Sequence, residues 1–192
     1  MTRLHVACGH VYLHGYDNID LPGETAYLAA DRPDLVETNG TDFLHYYKHD
    51  YVEALALAKT RLTVCDVFAD MRQLPYAPES IEEIVCVQAL EHLLPQDADV
   101  ALAHWYDLLR PGGTLFLTVP DMVEDCKRYL YAALKEDLPR EEYALYLIYG
   151  SRKNPNSHHY DGFSKARLKD KLIRAGFDAD RLEWFKALHA YP

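Results

Sequence analysis

Apolar residues fall into short continuous runs along this chain, and stretches of helical period separate them. Leu4-His5-Val6-Ala7-Cys8 is such a run, stopped by Gly9, and it predicts a first strand. Asn18-Ile19-Asp20-Leu21 predicts a second, closed by Pro22-Gly23. Arg61 to Phe68 and Glu83 to Val87 are β-branched and uninterrupted, the pattern of strands buried on both faces. Thr114 to Val119 follows Pro111-Gly112-Gly113 and ends at Pro120, which makes it the clearest strand. Helices fill the gaps. Ala98 to Leu109 places Val100, Leu102, Ala103, Tyr106 and Leu109 near helical spacing. Asp121 to Lys135 and Arg140 to Tyr149 also read as helices. Ser164 is placed to cap a helix running to Arg174, with Ala175-Gly176-Phe177 as its exit. Leu182 to Leu188 reads as a last strand.

Strands alternating with helices predict an α/β fold, doubly wound, with a mostly parallel Rossmann-like sheet and helices on both faces. Such sheets bind ligands beyond the carboxyl ends of the strands, where the winding reverses. The length of 192 residues fits one domain, read over 1–192. Glu24 to Thr60 breaks the alternation and is long for a connection. Its second half, Asp42 to Lys59, carries Phe43, Tyr46, Tyr47 and Tyr51 and is expected to be helical.

Composition narrows the class. No apolar run approaches the roughly 20 residues that cross a bilayer, so no membrane insertion is expected. The start does not look like a signal peptide, because a polar loop from His10 cuts the apolar stretch short. The four cysteines (Cys8, Cys65, Cys86, Cys126) form no CxxC pair, and a reduced, cytoplasmic setting follows. A net charge of −10 argues against nucleic acid as a partner. Between Ser151 and Arg174, however, seven Lys or Arg stand against two Asp. A solvated helix face explains that cluster more simply than anion binding, which leaves only a faint lean towards an anionic substrate.

Candidate chemistry gathers at the strand ends. Val6-Ala7-Cys8-Gly9 turns after the first strand, where a glycine lets the backbone approach a ligand. Asp20 ends the second strand, and a carboxylate there can accept from two ribose hydroxyls. Asp70 follows the third strand and could accept from an adenine amino group while Met71 covers the ring. Turn-forming is the ordinary alternative for both acids. After the fourth strand come Gln88-Ala89-Leu90-Glu91-His92-Leu93, then Leu108-Leu109-Arg110-Pro111-Gly112-Gly113.

This ordered set resembles the class I S-adenosylmethionine-dependent methyltransferases, and most closely the small ones associated with sugar and polysaccharide biosynthesis. Gly15, Asn18 and Asp20 match their opening; His159, Gly162-Phe163, Leu168, Leu172 and Ala175-Gly176-Phe177 match their late motif. The match covers Leu4 to Leu21 and Asp66 to Phe177 but not Glu24 to Thr60. The resemblance implies S-adenosyl-L-methionine as cofactor and S-adenosyl-L-homocysteine as product. It implies that Ala7, Cys8 and Gly9 line the methionine part, Asp20 the ribose, and Asp70 with Met71 the adenine, with Gln88 and Ala89 beneath the sulfonium. The acceptor is expected to be a small molecule or sugar, methylated on oxygen.

The chain departs from that pattern in three ways. Ala7 stands where a first glycine is usual. Too few residues separate Gly9 from Asp20 for the usual first helix, so a tight loop must replace it. The N-terminal cap is expected to be absent and the C-terminal strand to be missing. Asp42 to Lys59 within the 24–60 insertion, or the partner subunit of a homo-oligomer, is then expected to be the lid.

For an oxygen acceptor the catalytic base is expected at His92, with His159 as second candidate; a merely packed helix start is the plain alternative for His92. His10/His14 and His45/His49 have i, i+4 spacing but no third ligand nearby, so no metal is assigned. An Asn/Asp-Pro-Pro-aromatic run is absent after the fourth strand, which argues against DNA adenine or glutamine methylation. A nicotinamide-dependent oxidoreductase is disfavoured because no second glycine follows Gly9 until Gly15. A non-catalytic, regulatory S-adenosylmethionine-binding partner is the other alternative.

Overall fold

In the computed structural model, which describes residues 2–43 and 60–185, the chain divides into two compact units. The first comprises 1–87, 107–117 and 183–192; the second comprises 88–106 and 118–182.

The first unit is built on a five-stranded sheet. Its strands are β1 (Thr2–Val6), β3 (Asp17–Asp20), β7 (Val67–Phe68), β8 (Ile81–Val87) and β9 (Leu109–Thr118), in the order β7-β3-β1-β8-β9. β1 pairs in parallel with β3 on one side and with β8 on the other, and β3 pairs in parallel with β7. The first strand therefore lies centrally, and the winding reverses between β1 and β8. Leu4, Val6, Ile19, Ile81, Ile84, Val85 and Cys86 are fully buried, as expected of strands covered on both faces. This is the Rossmann-like α/β arrangement read from the sequence.

Two small parallel pairs complete the strands: β2 (Tyr12–Leu13) with β5 (Gly40–Thr41), and β4 (Ala26–Leu28) with β6 (Thr63–Cys65). The run from Arg61 to Phe68, expected as one strand, is thus split at Asp66. Here the chain passes from pairing with β4 to pairing with β3: the Asp66 amide donates to the Asn18 carbonyl at 2.7 Å, while its Oδ2 accepts from the Asn18 backbone N–H at 2.7 Å and its Oδ1 from the Tyr12 hydroxyl at 2.9 Å. The insertion also holds regular structure: β4, the helix α1 (Pro33–Asn39) and β5. Most of the expected aromatic helix, 44–59, lies outside the described residues.

Strand β9 begins earlier than expected, before Pro111-Gly112-Gly113 and not after it. A Cβ on Gly113 would stand 3.1 Å from the Glu82 carbonyl oxygen and 3.2 Å from that of Ile81, so glycine permits this close approach to β8.

The second unit is helical: α2 (Pro95–Leu108), α3 (Met122–Leu134), α4 (Leu138–Tyr149) and α5 (Lys165–Ala175). Trp105, Phe163 and Leu102 are buried in it. Asp121 caps α3 by accepting from Val123 and Glu124 amides, and Ser164 caps α5 by accepting from the Arg167 amide. Gly176 ends α5 in the left-handed conformation, as its position predicted. Leu182–Phe185, assigned to a last strand, is irregular, and 186–192 lies outside the described residues.

Much of the basic cluster is occupied internally. Lys171 is buried and its Nζ lies 2.7 Å from Asp99, 2.9 Å from the Pro95 carbonyl and 3.6 Å from Asp161. Arg167 pairs with Asp161, and Arg174 with Asp170 and Asp99. These ion pairs account for three of the seven cations and favour the structural reading of the stretch.

Candidate active site

In the first unit the chain leaves β1 through Ala7, Cys8 and Gly9. Ala7 has φ 52° and Gly9 φ 56°, so the turn passes twice through left-handed backbone. Glycine does this without strain, whereas alanine carries a Cβ against its own carbonyl. The Cys8 amide donates to the Ile19 carbonyl at 3.0 Å, which lays the turn along β3. The Gly9 amide donates to Asp20 Oδ2 at 2.7 Å. Asp20 Oδ1 accepts from the Leu21 amide at 2.7 Å. Each carboxylate oxygen has a second lone pair, so Asp20 can also accept from hydroxyls. A Cβ on Gly9 would meet no described atom within 4 Å, so among the described residues open space lies beside this glycine.

Cys8 turns inward, its Sγ 3.7 Å from the Val64 carbonyl oxygen. Burial, with Asp20 nearby, pushes its thiol well above the ordinary range and keeps it protonated. The backbone of Cys8, and not its sulfur, is what the turn presents.

The tight loop that replaces a helix here is fastened by Asn18, which is fully buried. Its Oδ1 accepts from the Leu13 amide at 2.8 Å and from His5 Nδ1 at 3.0 Å. Its Nδ2 donates to the carbonyls of Leu13 and Tyr16, both at 3.0 Å, and lies 3.1 Å from Asp66. Burial lowers the His5 pKa to about 4, partly offset by the Asn18 contact, so the ring is neutral.

Asp70 follows one strand over. Asp20 is in register with Phe68, and the Ala69 amide donates to the Asp20 carbonyl at 3.0 Å. The glycine turn and the two acids thus meet at one end of adjoining strands. Asp70 Oδ1 accepts from the Arg72 amide at 2.9 Å, and Oδ2 lies 2.6 Å from its guanidinium. Hydrogen bonding from Arg72 holds the Asp70 carboxyl below the usual range. Both acids therefore also do the turn-forming work anticipated for them. Met71 is half-buried.

The remaining candidates lie in the second unit. Gln88 has φ 52°; its amide donates to the Thr118 carbonyl at 3.0 Å and its Nε2 to Thr118 Oγ1 at 3.4 Å. Ala89 is buried.

His92 and His159, chosen separately from the sequence, stack edge to face with ring centroids 4.8 Å apart. His92 Nδ1 lies 2.9 Å from the His158 carbonyl oxygen and His159 Nδ1 lies 2.9 Å from that of Leu147. A carbonyl can only accept, so Nδ1 carries the proton in each ring and Nε2 carries the lone pair. Burial lowers both pKa values, that of His159 to about 4 with help from His92, which keeps both rings neutral near pH 7.

Glu91 completes this group, and the sequence reading passed over it. It is fully buried in a turn of 3-10 helix over Leu90–His92, and burial raises its pKa to about 8. Its backbone carbonyl accepts from the amides of Tyr160 and Asp161, which brings His159 alongside. No spacing rule connects residues so far apart in the chain; the only signal was that both belong to family-like motifs.

No curated protein matches the chain significantly. Solved structures of similar fold include a Bacillus halodurans protein provisionally assigned as a methyltransferase (18% identity, TM-score 0.48) and an S-adenosylmethionine-dependent methyltransferase from Thermotoga maritima (17%, 0.45). Another is an S-adenosylmethionine-dependent methyltransferase from Archaeoglobus fulgidus (14%, 0.46). Each alignment covers 92% of this chain, yet the chain spans only 62%, 64% and 61% of those three proteins, respectively. Among the described residues no helix is long and apolar enough to cross a membrane. Residues 34–117, a stretch that takes in Asp70, Met71, Gln88, Ala89 and His92, match the family model of a methyltransferase domain.

Proposed function

We propose that this chain is an enzyme that transfers a methyl group from S-adenosyl-L-methionine to a small-molecule or sugar hydroxyl. The observation that carries the reading is the Gly9 turn: its amide holds Asp20 at 2.7 Å, and no described atom crowds the glycine. That cradle suits an adenosine. Asp20 accepts from the ribose hydroxyls, Asp70 accepts from the adenine amino group, Met71 covers the ring, and the backbone of Ala7, Cys8 and Gly9 passes along the methionine part. The cofactor supplies a sulfonium-bound methyl group, already activated for in-line transfer to a nucleophile.

What the protein adds is alignment and a place for the acceptor's proton. His92 and His159 are the second unit's candidates for that, since each is neutral and bears its lone pair on Nε2. The four free thiols, three of them buried, accord with a reducing cytoplasmic setting. Titration calorimetry with S-adenosylhomocysteine tests the proposal. One equivalent should bind, NAD should not, and Asp20→Ala should abolish or weaken binding at least tenfold. Equal binding by Asp20→Ala would overturn the assigned cradle.

A further inference from the structure

Glu91, His92 and His159 each offer one ligand atom, and these atoms all lie within 4.8 Å of one another. Glu91 Oε2 is buried and has no hydrogen-bond partner among the described residues. An uncompensated buried carboxylate is costly, and such groups in folded proteins call for a proton or a cation. Two imidazoles lie beside Glu91, and both are hydrogen-bonded in the way that metal-ligating histidines are. Each spends its Nδ1–H on a backbone carbonyl, which fixes the ring and leaves the Nε2 lone pair available.

From this arrangement we propose that Glu91, His92 and His159 bind one divalent transition-metal ion. A carboxylate with two neutral imidazoles is the donor set of Zn²⁺ and of other late first-row divalent ions, whereas Mg²⁺ prefers oxygen ligands alone. With bonds of about 2.1 Å, neighbouring tetrahedral ligands stand about 3.4 Å apart. Side-chain rotations that close the group by an ångström or so complete the site. Glu91 is fixed by its place in the Leu90–His92 turn, and His159 by the Leu147 contact from α4. His92 and His159 remain half-buried, so solvent or a substrate oxygen can take the coordination positions that the protein leaves open. An ion here would take the Nε2 lone pairs, and His92 would then act as ligand instead of base. The site lies wholly in the second unit and does not depend on the methyl-transfer reading.

Co²⁺ titration of the full chain, first stripped with a chelator, tests the proposal. One equivalent should bind with visible d–d absorption, and Zn²⁺ should displace it. Glu91→Gln and His159→Gln should each weaken binding tenfold or more. If a variant fails to fold, the wild-type protein still decides the matter through its ¹⁵N-histidine spectrum, in which Co²⁺ should shift the His92 and His159 rings. No binding at millimolar Co²⁺ would overturn the site, as would binding that moves other histidines and leaves these two unperturbed.

Discussion

The amide of Gly9 donates to the carboxylate of Asp20 at 2.7 Å, so the turn after β1 and the acid that ends β3 form one unit. A charged acceptor makes this bond stronger than a neutral one. Asp20→Asn keeps a side-chain oxygen for the Gly9 amide but removes the charge and one of the two acceptors offered to a ribose. Stability should fall by about 1 kcal/mol or less. Affinity for S-adenosylhomocysteine should fall roughly tenfold or more, as expected when a charged hydrogen bond of about 1.5–3 kcal/mol is lost. Urea unfolding and calorimetry on the same preparation separate the two effects. A variant that lost stability and kept affinity would mark Asp20 as a turn-former only.

Ala7 offers a test with the opposite sign. Its φ of 52° costs an alanine about 1–2 kcal/mol, and a glycine avoids that cost. Glycine in turn gives the unfolded chain about 0.5–1 kcal/mol of extra entropy to lose. Ala7→Gly should therefore stabilise by about 0.5 kcal/mol, and Ala7→Val should destabilise by about 2 kcal/mol, because a branched Cβ tolerates this region worst. The urea midpoint of the three proteins should rank glycine, alanine, valine. Any other order would mean that the turn relaxes on substitution.

The central strands were legible because burial on both faces writes itself as an unbroken apolar run, as in Leu4–Cys8 and Glu83–Val87. Helix ends were legible where a cap is local: Ser164 and Gly176 need only their immediate neighbours. What escaped depends on partners far along the chain. The strand divides at Asp66 because the chain there changes partner from β4 to β3, and Asn18 and Tyr12 bind its carboxylate. Pro95 joins α2 because proline is tolerated in the first turn, although the apolar period starts at Ala98. Leu109 and Arg110 join β9 because Gly113 lets two backbones approach. The local sequence marks Gly9, Asp20, Asp70, His92 and His159, but not the edge-to-face contact of the two histidines. Nor does it mark the burial of Glu91, since a glutamate beside a histidine reads as an ordinary exposed helix start.

The basic stretch makes a prediction about stability and not about binding. Lys171 is 3% exposed and faces Asp161, itself 4% exposed, as well as Asp99. Removing one member of a buried ion pair leaves the other uncompensated and costs about 3–5 kcal/mol; Arg167, which also reaches Asp161, should hold the loss near the lower figure. Lys171→Met should thus lower stability by about 3 kcal/mol. Lys169→Met, on the exposed side of the same helix, should change it by no more than about 0.5 kcal/mol. Thermal unfolding of both variants checks the contrast. Equal effects would mean that Lys171 is solvated and that the whole stretch is available to anions.

Stability should also depend on pH through His5. Its ring is buried in β1 against Asn18 of β3 and lies in register with Val85 of β8; Asn18 in turn contacts the charged Asp66. Burial lowers its pKa from 6.5 to about 4. Between those values the unfolded chain binds a proton that the native protein refuses, so stability present above pH 6.5 is lost as pH falls towards 4. From pH 7.5 to pH 5 this one residue should remove about 2 kcal/mol. Other groups titrate in the same range, and Asp125, whose pKa burial raises to about 6, acts with the opposite sign. The informative quantity is therefore the difference between wild type and His5→Gln, in which an amide takes the place of the imidazole. Glutamine cannot protonate, so at pH 7.5 the wild type should be the more stable protein, and by pH 5 its advantage should shrink by that amount. Urea unfolding at both pH values, with chelator present, measures it. A constant difference would show that the native ring takes up its proton as readily as the unfolded one, and that His5 is not sealed between its neighbouring strands.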